Sequence, residues 1–149
     1  HPEYGNNVSL ARMLGIEIDG KLDPQDPVSV GNTGHLPQAL PIEDFLSRIE
    51  QTLGRRPQHI GLAGAKIQSL GWCTGAAQGY IEQALTAGVD AYLTGEISEQ
   101  TVHVAREEGI HFIAAGHHAT ERYGVQALGE YLSKKFSLQH RFIDIDNPV

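Results

Sequence analysis

A chain of 149 residues is one domain's worth, and at that size folding buries roughly 68–70% of the unfolded surface, so a core of its own is within reach. Hydrophobic residues make up 40% and charged residues 19%, and no apolar run approaches the ~18–20 residues that a membrane-spanning helix needs. With 11 Lys and Arg against 18 Asp and Glu, the net charge of -7 repels a phosphate backbone and argues against general nucleic-acid binding.

Smaller features narrow the class further. The adjacent basic pairs, Arg55-Arg56 and Lys134-Lys135, read as solvated helix ends. A single cysteine, Cys73, excludes an intrachain disulfide and a cysteine-only zinc site, so a reducing cytoplasm is the expected compartment. The chain opens on His1-Pro2-Glu3 without an initiator methionine, which fits a truncated or processed piece, and no secretory leader is expected.

Along the chain, residues 1–57 are the less regular part. Asn6-Asn7 precede Val8, Leu10, Ala11 and Leu14, apolar at helical spacing after a good N-cap type and before Gly15, which predicts a short helix over 7–14. Residues 16–37 alternate loosely among Pro24, Pro27, Gly31, Gly34 and Pro37, as expected of short edge strands joined by turns. Pro41 stands at an expected first helical position; Ile42, Phe45, Leu46, Ile49 and Leu53 then follow at three- and four-residue steps up to Gly54.

From 58 to 149 the pattern becomes strand, glycine-rich turn, helix, repeated. Strands are expected at His59–Leu62, Ile67–Cys73, Ala91–Thr94, Ile110–Ala115 and Arg141–Ile145, with helices near 77–87, 98–108 and 118–134. Parallel neighbours need long crossovers, and a helix is the compact way to build one. The expected fold is therefore α/β in three layers, a largely parallel sheet with helices on both faces.

In such sheets ligands collect beyond the carboxyl ends of the strands. Three turns fall there: Cys73–Gly79, Thr94-Gly95-Glu96 and Ala115–Glu121. The first lacks the Lys-Ser/Thr of a P-loop, and its glycines at 71, 75 and 79 do not match G-x-G-x-x-G, so a tight turn is the plainer reading than an anion site. Cys73 reads as a small buried hydrophobe, having no general base beside it in sequence.

The third turn is the informative one. His117 and Glu121 are four residues apart, so on a helix an imidazole nitrogen and a carboxylate oxygen project from one face and can meet one divalent cation. His118 is the competing donor, or a group that supports a ligand from behind. The positive end of the helix dipole disfavours a cation there by ~0.3–1 kcal/mol, which anionic ligands must offset. Glu96, at the neighbouring strand end, is a candidate ligand, hydrogen-bond acceptor or general base. His103, between Val102 and Val104, reads as packed or structural, and His35, His59, His111 and His140 carry no assigned chemistry.

Three segments together resemble the Nif-three-like dinuclear metal-centre family, whose bacterial members are labelled GTP cyclohydrolase 1 type 2 homologues. They are Gly71-Trp72-Cys73-Thr74-Gly75, Asp90–Glu96 and Ala114-Ala115-Gly116-His117-His118-Ala119-Thr120-Glu121-Arg122. The likeness is dense from about residue 58 to Phe142-Ile143-Asp144-Ile145 and includes the opening His1–Asn7. It implies a site for two divalent metal ions (Fe, Mn or Zn) in a cavity of a toroidal homohexamer, and metal-dependent hydrolysis of a nucleotide-like small molecule. By position, His117 and Glu121 would be metal ligands. The family's other ligands, a His-His pair and an Asp, would fall before His1, so the likeness is to the C-terminal part and this chain alone is expected to be inactive. Nothing in these residues reads guanine. The competing expectation is a ring-forming metal-binding scaffold or regulatory protein without catalysis.

Overall fold

Side-chain alternation divides the central strands between two cores. The computed structural model describes residues 1–149, in chain order: helix α1 (Asn6–Leu14), strands β1 (Glu17–Lys21) and β2 (Asn32–Pro41), helix α2 (Ile42–Leu53), strands β3 (Gln58–Ile60) and β4 (Lys66–Trp72), a 3-10 turn (Gln78–Tyr80), helix α3 (Ile81–Ala87), strand β5 (Ala91–Thr94), helix α4 (Glu99–Glu108), strand β6 (His111–Ala114) and helix α5 (His117–Phe136). The strands form one sheet in the order β1-β2-β4-β5-β6-β3. Successive residues of a strand point to opposite faces. Ala91, Leu93 and Ile113 thus join α1, α2 and the start of α5 in one core, while Tyr92, Phe112 and Ala114 join α3 and α4 in the other.

The α/β reading holds, with helices on both faces. Parallel pairing is confined to β4-β5-β6, and the flanking pairs β1-β2, β2-β4 and β3-β6 are antiparallel, making the sheet mixed. The reason lies in the connections. Among neighbouring strands, only β4 to β5 and β5 to β6 are joined by a helical crossover, which returns the chain to the same end of the sheet.

Helix α2 illustrates how local sequence sets packing. Ile42, Phe45, Ile49 and Leu53 fall on one face and are fully or almost fully buried, each contributing on the order of 1.5–3 kcal/mol of burial. Glu43 and Asp44 occupy the first turn, where the helix dipole favours negative charge, and Gly54 closes the helix in the left-handed conformation. Pro41 lies one residue earlier than expected, as the last residue of β2 and the N-cap of α2.

Several expectations are corrected. Residues 16–37 do not form only edge strands, because β2 runs from Asn32 to Pro41 and lies inside the sheet between β1 and β4. Its Pro37 is tolerated because the β2-β4 ladder is irregular between His35 and Leu40. The segment Arg141–Ile145 is not a strand: no strand lies beside it, and Ile143 and Ile145 are exposed despite their alternation. The asparagines do not cap α1, whose N-cap is Gly5; Asn6 Oδ1 instead accepts the Gly124 N–H of α5 at 2.8 Å. His103 is exposed because the buried face of α4 is carried by Thr101 and Ala105.

No helix is long and apolar enough to cross a membrane. Cys73 is buried as expected, and burial pushes its thiol pKa up.

Candidate metal centre

Parallel pairing brings all three turns to one edge of the sheet. The Thr94 hydroxyl and the Gly95 N–H both donate to the Gly75 carbonyl, at 3.1 and 3.0 Å. The Gly116 N–H donates to the Gly95 carbonyl at 2.8 Å, and the Gly75 N–H to the Thr120 hydroxyl at 3.1 Å. Gly95 sits at the centre of this stack. A Cβ there would lie 2.7 Å from both the Gly75 carbonyl oxygen and the His117 Cα, so only glycine lets the three backbones approach.

Two backbone donors of the first turn are engaged by neighbouring side chains. The Gly75 N–H is spent on Thr120, and the Thr74 N–H donates to Asn7 Oδ1 at 2.9 Å. Thr74 and Gly75 are thereby tied to α1 and α5.

Helix α5 begins at His117, one residue before the expected start, with Gly116 as its N-cap. Its first turn places His117 and Glu121 on one face, where Nε2 and Oε2 are 3.1 Å apart. The other ring nitrogen, Nδ1, lies 2.6 Å from Glu96 Oε1. All three side chains are half-buried. The hydrogen bond that His117 donates to Glu96 raises the pKa of His117 above the ordinary histidine value, Glu121 adds to the effect, and burial opposes it. Two carboxylates thus offset the positive end of the α5 dipole.

Only Nε2 and Glu121 converge on a common point, since Glu96 engages the opposite nitrogen. Accordingly, nowhere do three or more His, Cys, Asp or Glu side chains group so as to hold a metal ion by themselves. The donor chemistry suits a divalent cation, but the set is incomplete within this chain.

His118 points to other partners. Its Nε2 is 2.8 Å from Asp144 Oδ1, and Arg122 Nη1 donates to Asp144 Oδ2 at 2.9 Å. These contacts pin the segment after α5 and hold the Asp144 carboxyl below its usual range, the His118 hydrogen bond being the main cause. Three site residues were not legible from spacing. The Thr74 hydroxyl donates to Glu121 Oε1 at 3.2 Å, Thr120 receives the Gly75 N–H, and Asn7 anchors the Thr74 backbone. Asn7 and Thr74 are 67 residues apart, and no local pattern connects them.

These features define an α/β protein with an imidazole and two carboxylates at the carboxyl edge of its parallel strands. The chain belongs to the Duf34/NIF3 (NGG1p interacting factor 3) family, whose model matches residues 1–148. It is 60% identical over 149 residues to a Pseudomonas aeruginosa protein named GTP cyclohydrolase 1 type 2 homolog, and 52% identical to a Vibrio cholerae protein of the same name. All of this chain is covered in both matches, which take in 59% and 60% of those relatives. Among solved structures it resembles the protein ybgI, described as of unknown function, with a TM-score of 0.93 and 48% identity over 100% of this chain and 59% of that one. Thermus thermophilus TTHA1606 gives a TM-score of 0.83 and 30% identity over 100% of this chain and 58% of that one. The chain thus spans about three-fifths of the length of the relatives it matches.

Proposed function

We propose that this chain is the C-terminal part of a dinuclear metal-dependent hydrolase acting on a nucleotide-like small molecule within a cytoplasmic homo-oligomer. The single observation that carries the reading is the convergence of His117 Nε2 and Glu121 Oε2 while Glu96 occupies Nδ1. A carboxylate on the non-ligating nitrogen fixes the tautomer and the ring plane, which is the usual support of a histidine that ligates a metal. Bound divalent cations would supply activation of water for hydrolysis. Within this chain His117 and Glu121 would hold the metal, Glu96 would orient His117, and the Thr74 hydroxyl would orient Glu121. The length difference from the relatives supports further ligands contributed from outside these 149 residues.

Two measurements test this. Metal analysis of a homogeneous 149-residue preparation is expected to find weak or no occupancy; two stoichiometric ions contradict the division of ligands. The full-length protein, incubated with nucleotides and cyclic nucleotides and Mn²⁺, Fe²⁺ or Zn²⁺, is expected to turn over at least one of them. An absence of turnover with every metal supports a ring-forming binding scaffold instead. Glu96→Gln retains a hydrogen-bonding group but removes the charge from Nδ1, and is expected to weaken metal affinity about 10–100-fold, measured by competition with a chelating dye. An unchanged affinity removes Glu96 from its orienting role.

A further inference from the structure

A second pair of histidines lies apart from the candidate metal centre, where the sheet ends. Strand β3 is three residues long, occupies the end of the sheet, and has β6 as its one neighbour. From β3, His59 Nε2 meets His111 Nδ1 of β6 at 3.0 Å. The rings are inclined by only 8° with centroids 5.2 Å apart, so the nitrogens face one another nearly in plane, as in an N–H···N hydrogen bond. His111 is 8% exposed. Gly61 keeps the space beside them open, for a Cβ there would lie 2.4 Å from His111 Nδ1 and 2.8 Å from His59 Nε2.

Such a bond depends on protonation in a definite way. With both rings neutral, one nitrogen donates and the other accepts. With one added proton the bond persists and becomes charge-assisted. With two, both facing nitrogens carry hydrogens, no acceptor remains, and two positive charges oppose each other at 3.0 Å. We propose that the His59–His111 pair is an acid-released latch on β3, closed while the rings share at most one added proton and open when both are charged.

The surroundings favour the closed state. Burial lowers the pKa of both imidazoles, and the charge of His111 adds to this at His59. Glu43 of α2 opposes the effect at both rings, and Asp90, just before β5, opposes it at His111. Both carboxylates have backbone partners, Glu43 accepting the Gly64 N–H at 2.7 Å and Asp90 the Gln68 and Ser69 N–H groups at 2.9 and 2.8 Å. None of the charged side chains of α4, which packs on β3, is among the groups acting on either ring. With the folded values depressed, the latch stabilises the fold fully above about pH 6.5, and this contribution is lost as the pH falls below it and through the folded values.

Amide hydrogen exchange read against pH tests the latch in the natural protein. Corrected for intrinsic rates, protection at residues 58–60 is expected to fall roughly tenfold or more between about pH 7 and pH 5, while β5 keeps its protection. His59→Gln offers an amide that donates or accepts without titrating, and is expected to keep neutral-pH protection and lose the acid sensitivity. Equal acid sensitivity in H59Q and wild type overturns the latch. Should H59Q not fold, ring-proton NMR of the wild type decides: both histidines are expected to titrate below about pH 6.5 together with the loss of β3 protection, and titration of either at or above that value overturns the proposal.

Discussion

Replacing His117 by alanine in the full-length protein is expected to lower its affinity for Mn²⁺ or Zn²⁺ by roughly 100-fold or more, beyond the 10–100-fold range of changes made behind the ligands. The substitution removes the donor that Glu96 orients and Glu121 faces, leaving the two carboxylates without the imidazole between them. Its side chain is half-buried and its removal takes nothing from either core, so the folded state should persist. Isothermal titration with each metal, alongside a circular dichroism spectrum matching wild type, checks both halves of the claim. Unchanged affinity in a folded H117A protein removes His117 from the ligand set.

The largest expected stability effect belongs to Trp72→Ala. Trp72 ends β4, is fully buried in the core beneath α1 and α2, and donates its indole N–H to the Asn7 carbonyl at 3.0 Å. Truncation removes about 3–5 kcal/mol through lost burial and the cavity left behind. It also frees Asn7, whose Oδ1 anchors the Thr74 backbone, so the turn that carries the hydroxyl to Glu121 should loosen as well. Urea unfolding followed by circular dichroism measures the loss, since the substitution deletes the one tryptophan. A loss below about 1 kcal/mol contradicts this packing.

How much was legible in advance follows from the range of each signal. Strand β5 matches its expected bounds, Ala91–Thr94, and α2 follows the spacing of Ile42, Phe45, Ile49 and Leu53, because local periodicity records which face a residue buries. The His117–Glu121 pair is likewise a helical spacing and needs no distant partner. The segment Arg141–Ile145 has the alternation of a strand, yet a strand exists only through hydrogen bonds to a neighbour, and none lies beside it. Asn6 and Asn7 look like caps because capping is the local use of an asparagine; the fold directs them to Gly124 and Thr74 instead.

By itself the sequence determined the alternation of strands and helices through most of the chain, the buried face of α2 and the pairing of one imidazole with one carboxylate, all of which depend on residues a few positions apart. Tertiary structure alone decided that β2 lies inside the sheet, that Glu96 meets the far nitrogen of His117, and that His59 and His111 face one another across 52 residues. The reason is physical: backbone pairing between strands selects which distant side chains become neighbours, and spacing along the chain carries no record of that choice.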